Sequence, residues 1–341
     1  MSELTYTEML QTVRVGQSLT REQAADAFGQ IMAGRWSEAQ IAAMLTALAA
    51  KGESVDEIVG AALAMRKHAV GVDTRGADVI DTCGTGGTGL RTFNISTAAG
   101  LVAAGAGAKV AKHGNRTHTR ASGSADVLSA LGVNLDAPTN VVADCLERAN
   151  FCFCFAVRCH PAMKHAAPVR KALGVRTIFN LLGPLTNPAS ARRQVMGVYE
   201  SGLTATVAEV LGALGAVHAM VVHAEDGLDE LSTTAETTIS HWQHGRVIVE
   251  TARPEDFALP RARLADLLVN SAAESAEVIR GVLAGVRGPA RDIVLLNAAA
   301  ALTVADLAPT IVAALPMAAE SVDSGAARQA LATLVKVSHT L

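Results

Sequence analysis

Apolar positions in the first 70 residues recur at helical spacing. After Ser37, the side chains of Ile41, Met44, Leu45 and Leu48 fall on one face, and Gly52 stands where a C-cap belongs. Three capping boxes open such segments: Thr20 with Gln23, Ser37 with Gln40, and Ser54 with Glu57. In each, the hydroxyl can accept from the amide three residues on while the Gln or Glu reaches back. From about Ala77 the pattern changes. "DVIDTC" and "KVAKHG" read as short strands, and each is followed by a loop and a helix, "STAAGLVAAGAGA" and "NRTHTRASGSADVLSALG". "FCFCFAV", "RQVMGVY" and "HAMVVHA" are later strand candidates, each near a helical stretch. "HPAMKHAAPVRKALGVRTIFNLLGPLTNP" reads as helical and closes on Pro and Asn, and the final 70 residues return to amphipathic helix. A β-loop-α-β-loop-α run predicts an α/β fold with a mostly parallel sheet flanked by helices.

The chain has 341 residues, long for one core, so one large domain and a smaller one are expected. Half the residues are hydrophobic but only 3% are aromatic, which favours Ala- and Leu-packed helices. The net charge of −3 gives no general attraction to nucleic acid or to an anionic membrane. No run reaches the ~18 uninterrupted apolar residues of a membrane span. An odd set of five cysteines and a start without a secretory pattern point to a reduced, cytoplasmic setting.

Candidate chemistry begins at "GTGGTGLRTFNIST", residues 84–97. Gly84, Gly86 and Gly89 spell the dinucleotide fingerprint after a strand and before a helix. That fingerprint also needs an acid ~20 residues on for the ribose. None stands anywhere from Thr82 through Ala125, and no Gly-Lys-Ser/Thr follows to make a Walker loop. The same stretch carries Arg91, Lys109, Lys112, Arg116 and Arg120, with His113 and His118. Two loops here lead into helix N-termini, where free amides and the helix dipole favour anions. Thr92, Asn94, Ser96 and Thr97 furnish the first, Ser122 and Ser124 the second, and a solvated basic face is the plainer alternative. Two anion cradles with a lysine between them suit a substrate with two phosphate groups. "HAEDGLDELS" sets Glu225, Asp226, Asp229 and Glu230 just after a strand, either as an acidic surface turn or as oxygen ligands that draw Mg²⁺ to a phosphate site. "FCFCFAVRCH" lacks the paired C-x₂-C spacing of structural zinc and reads as buried thiols. No G-x-S-x-G or H-E-x-x-H occurs.

Taken in order, "GTGG…TFNIST", "KHGNR…SGSADVL", "HPAMKHAAPVRKALGVRTIFNLLGPLTNPA" and "GLDELS" resemble the anthranilate phosphoribosyltransferases of tryptophan biosynthesis, over essentially the whole chain. The resemblance implies a small all-helical domain, residues 1–70, hinged to a larger α/β domain, residues 75–341, with the helical segment around 165–190 packing on the former. It implies a homodimer through the helical domains, and transfer of the phosphoribosyl group of phosphoribosyl pyrophosphate (PRPP) to the anthranilate amine with Mg²⁺. By motif, Gly84, Gly87, Thr88, Thr92, Asn94, Ile95, Ser96, Thr97, Lys112, His113, Gly114, Asn115, Arg116 and Ser124 would line the PRPP site. Gly84, Asn115 and Arg170 would contact anthranilate, and Ser96, Asp229 and Glu230 would hold the metal. No residue is expected as an acid or base, and Lys112 would act electrostatically. The chain departs from the family pattern in two places, with Thr88 where Asp is usual and Thr119-Arg120-Ala121 in the second loop. Two other readings are a pyrimidine nucleoside phosphorylase, whose Lys-x-Ser-Gly-Arg signature is absent, and a non-catalytic nucleic-acid-binding relative, which the net charge and the Asp229–Glu230 pair disfavour.

Overall fold

The computed structural model describes residues 4–116 and 122–340, so Thr119, Arg120 and Ala121 lie outside the described residues, as does His118. Four helices open the chain: α1 (Tyr6–Arg14), α2 (Arg21–Met32), α3 (Glu38–Lys51) and α4 (Val55–Lys67). All three capping boxes form, and a fourth, Thr5 with Glu8, opens α1. Gly52 ends α3 with φ +85°, a conformation that costs glycine little. Ile41, Met44, Leu45 and Leu48 are all buried, each contributing about 1.5–3 kcal/mol. Glu57 does more than cap. It is fully buried, accepts the Leu19 and Ser54 amides at 3.0 and 2.8 Å, and pairs with Lys51 at 2.8 Å. It thereby ties the loop before α2 to the turn between α3 and α4.

Among the described residues seven strands form one sheet: β1 (Ile80–Gly84), β2 (Val110–Gly114), β3 (Phe151–Phe155), β4 (Arg193–Gly197), β5 (His218–Ala224), β6 (Thr237–Gln243) and β7 (Arg246–Ala252). Their order is β3-β2-β1-β4-β5-β6-β7. The first five in that order pair in parallel, and β5, β6 and β7 pair antiparallel. All five strand candidates read from the sequence are present, whereas the β6–β7 hairpin was not anticipated. "FCFCFAV" stays extended only to Phe155, after which Ala156–Cys159 turn helical. The long helical reading of 160–188 is corrected as well. The segment breaks into 3₁₀ turns and two short helices, Ala167–Leu173 and Phe179–Leu182, because Gly174 and Pro184 interrupt it.

Two apolar cores result. One lies against the sheet face covered by α5 (Ile95–Gly105) and the helices of residues 272–338. The other joins α1–α4 to Ala166, Val169, Phe179 and Leu182 and to the opposite sheet face at Met196, Val198 and Val221. The segment carrying Arg170 is therefore packed between the opening helices and the sheet. The five cysteines are free and buried, Cys152 and Cys154 within β3.

Candidate active site

The chain leaves β1 toward β2 and β3 on one side and later returns to place β4 and β5 on the other. Beside the carboxyl ends of β1 and β4 the connections diverge, and in open α/β sheets that crevice is where ligands bind. Gly84 and Gly197 stand there as register partners. Neither position has room for a side chain. A Cβ on Gly84 would lie 2.5 Å from Asp229 Oδ2, and one on Gly197 would overlap the Asp229 carbonyl. The bareness of the first loop is thus explained partly by Asp229, brought in from the acidic turn after β5. Gly86 donates its amide to Asp229 Oδ2 at 3.0 Å, and Thr85 donates to the Gly197 carbonyl at 2.9 Å. Gly86 and Gly87 have φ of +63° and +76°. The Thr88 hydroxyl accepts the Leu90 amide at 3.4 Å, so it closes the turn locally.

Beyond this turn, Thr92 bridges Leu268, and Asn94 begins α5. The Asn94 side chain does not cap the helix. Its Oδ1 accepts from Ser275 Oγ at 2.8 Å and its Nδ2 donates to the Ser122 carbonyl at 3.2 Å, which fixes the first loop against the second. Ile95, Ser96 and Thr97 form the first turn of α5, with Ser96 Oγ within reach of Lys112 on β2. Ser96, Asp229 and Glu230 line one small cavity together with Thr82, Cys83 and Asn297. Among the described residues no three His, Cys, Asp or Glu side chains are placed together to hold a metal ion. An all-oxygen donor set of two carboxylates and a hydroxyl fits Mg²⁺, which keeps part of its shell for phosphate and water.

Lys112, on β2, is only 1% exposed. Its ammonium donates to the Thr82 carbonyl and to Ser96 Oγ, the latter at 3.2 Å. Burial pulls it below the ordinary lysine range, and Asp81, Cys83, Glu230 and Asp229 oppose that pull. Asp81 is the charge that sequence reasoning missed, although a lone acid inside the apolar run "VIDTC" was the available signal. It is fully buried, accepts the His113 amide at 3.0 Å and Asn187 Nδ2 at 2.7 Å, and is pushed upward chiefly by burial. His113 Nδ1 donates to the Gly183 carbonyl at 3.0 Å, which leaves its Nε2 to accept from His160 Nε2 at 3.2 Å. Burial depresses both imidazoles, His113 to about 3 and His160 to about 4. Both are therefore neutral near pH 7, and the pair adds no charge next to Lys112.

The second loop follows Gly114. A Cβ there would collide with Ser124 Oγ, so Ser124, the first residue of the short helix Ser124–Ala130, packs on bare backbone. Asn115 is exposed, and its carbonyl accepts from the Ala125 amide at 3.2 Å and Ser124 Oγ at 3.4 Å. Arg116 pairs with Asp126 at 2.9 Å. Arg170 stands apart from this group: no hydrogen bond joins it to Gly84 or Asn115 among the described residues. Its guanidinium lies 5.3 Å from the Phe179 ring centroid and is lowered by burial. A half-buried guanidinium with no carboxylate partner among the described residues suits a carboxylate brought by a ligand. Arg176, inside a quoted motif but given no role by it, also reaches the first loop: its Nη2 donates to the Gly87 carbonyl at 2.6 Å, and its guanidinium lies over the Tyr199 ring.

The geometry has counterparts among known proteins. Residues 7–69 match the helical bundle domain of a glycosyl transferase family, and residues 76–328 match its a/b domain. The anthranilate phosphoribosyltransferase of Moorella thermoacetica is 53% identical over 95% of both chains. The crystal structure of the enzyme of that name from Thermus thermophilus superposes with a TM-score of 0.93 at 40% identity, covering 97% of this chain and 99% of the other. That of Saccharomyces cerevisiae, in complex with PRPP and Mg, superposes with a TM-score of 0.88 at 28% identity, covering 100% and 99%. With such matches along its whole length, and with the glycine loop, buried lysine and paired carboxylates gathered at one switch point, this chain belongs to the anthranilate phosphoribosyltransferase family of glycosyl transferases.

Proposed function

We propose that this protein transfers the phosphoribosyl group of PRPP to the amine of anthranilate, releasing pyrophosphate, as a step of tryptophan biosynthesis. The observation that carries the reading is the convergence of Asp229, Glu230, Ser96 and Lys112 on the glycine loop at the β1–β4 switch point.

An arylamine is neutral at pH 7 and can attack C1 of the ribose without a strong base. The barrier lies in the departing pyrophosphate and in the positive charge that develops on the sugar. Positioning and electrostatic stabilisation then supply most of the rate. Ser96, Asp229 and Glu230 would hold Mg²⁺, which when bound neutralises pyrophosphate oxygens. The glycine loop and the first turn of α5 would cradle the phosphates, with Thr92, Asn94, Thr97 and Ser124 beside them. Lys112 holds Ser96 in place and sets a fixed positive potential behind the site. The neutral His113–His160 pair sits beside Lys112 without competing for its anions. Asn115 and Arg170 orient anthranilate, Arg170 by a charge-assisted bond to its carboxylate.

The helical part and the α/β part would close over the two substrates to exclude water, with two copies joined through the helical domains in the cytoplasm. Among the described residues no helix is long and apolar enough to cross a membrane. Mass spectrometry of a reaction containing anthranilate, PRPP and Mg²⁺ tests the reading. N-(5-phosphoribosyl)anthranilate should appear in step with pyrophosphate. Release of pyrophosphate with anthranilate unchanged would contradict it.

A further inference from the structure

The glycine loop is held at one further point, from an unexpected direction. Arg176 Nη2 donates to the Gly87 carbonyl at 2.6 Å, and the guanidinium carbon lies 4.2 Å from the centroid of the Tyr199 ring. No carboxylate among the described residues pairs with Arg176. Its plane is set instead by the ring beneath it, an arrangement that a guanidinium makes and an ammonium makes poorly. Tyr199 stands just past the end of β4, two residues after Gly197, so the platform is anchored to the strand that meets Asp229.

The residue donating this bond lies on the segment that bears Arg170, six positions later in the chain. That segment is fixed at its two ends, while Lys171, Ala172, Gly174, Val175 and Arg176 between them are exposed. Arg170 covers Phe179, Thr177 donates its amide to Asn180 Oδ1 at 3.0 Å, and Val169, Ile178 and Phe179 are buried in the helical core. Gly87, by contrast, has φ +76° and no side chain, so its carbonyl direction is easily changed. An exposed stretch beside one proposed substrate site thus holds the soft loop of the other.

We propose that Arg176 is a positioning residue that couples the two substrate sites. Anthranilate on Arg170 orders the exposed stretch 171–176, which strengthens the hold of Arg176 on the Gly87 carbonyl and so fixes the loop that takes the pyrophosphate group. This rests on the assignment of anthranilate to Arg170 and of pyrophosphate to the loop. Coupling between sites is reciprocal, so each ligand should tighten the other by the same factor.

Isothermal titration with Mg²⁺ and pyrophosphate, a non-reacting probe of the loop, with and without saturating anthranilate, measures that factor. In the unaltered protein anthranilate should tighten pyrophosphate at least ~5-fold, within the usual range of such couplings. Arg176→Ala and Tyr199→Ala should bring the factor to about one while each ligand still binds alone. Tyr199→Phe, which keeps the ring, should retain it, and Arg176→Lys should not. An unaltered protein that binds both ligands independently, or an Arg176→Ala variant that retains the factor, overturns the proposal. Failure of the unaltered protein to bind either ligand alone would strike instead at the site assignment on which it rests.

Discussion

The carboxylate of Asp229 accepts the amide of Gly86 at 3.0 Å although the two residues are 143 positions apart in the chain. One oxygen of a carboxylate proposed to hold the metal is thus also an anchor of the glycine loop. Asp229→Asn keeps the size and an oxygen able to accept the amide but removes the charge. The Mg²⁺ concentration for half-maximal activity should rise at least ~10-fold, as altered metal surroundings commonly do. A Mg²⁺ titration of initial rates in which the variant matches the unaltered protein would place Asp229 outside the metal's reach.

Gly197→Ala tests the backbone approach itself. The added Cβ would overlap the Asp229 carbonyl, so the turn after β5 must shift and the loop anchor with it. We expect a loss of about 1–3 kcal/mol of stability, as for overpacked sites, and ~10²-fold in kcat/KM. Gly202→Ala is the control, since a Cβ there meets nothing within 4 Å. Equal denaturation midpoints and rates for the two variants would remove the steric argument.

These relationships show where the sequence was informative. The opening helices were legible because each carries its own start signal, and the capping-box residues Thr20, Ser37 and Ser54 hold those positions in the structure. Strands β1 to β5 were legible as apolar runs bounded by glycine or polar loops. The β6–β7 hairpin was not read, although Val247-Ile248-Val249 is a β-branched run; β7 is exposed along most of its length, so no alternation of apolar and polar positions marks it. Its turn at His244-Gly245, with φ of +54° and +76°, is the tight hairpin type that a Gly after a polar residue can mark. Asp81, Gly197, Arg176 and Tyr199 escaped notice for a different reason. Their roles depend on neighbours far away in the chain, and no local spacing encodes that.

The buried imidazoles make a prediction about acid. His113 and His160 are depressed to about 3 and about 4, so between those values and an ordinary imidazole near ~6.5 the unfolded chain binds protons that the folded chain refuses. The stability they contribute is present above ~6.5 and is lost as pH falls. Melting temperature should therefore fall between pH 7.5 and pH 5.5, and His113→Gln should lessen that fall. The same slope in both proteins would show that the pair does not titrate as described.

Arg170→Ala should separate the two substrates. A carboxylate loses its charge-assisted partner, so the KM for anthranilate should rise ~10-fold or more, while the KM for PRPP changes little. Steady-state kinetics with the opposite order would move anthranilate away from the 170–180 segment.

The most direct measurement is the fluorescence of anthranilate itself. Purified protein mixed with anthranilate, PRPP and Mg²⁺ should extinguish that fluorescence in a time course that stops when the limiting substrate is spent. Omitting PRPP, or chelating Mg²⁺, should leave the signal unchanged. Steady fluorescence in the complete mixture, from protein shown to be folded and able to bind PRPP, would contradict phosphoribosyl transfer to anthranilate as the activity of this chain.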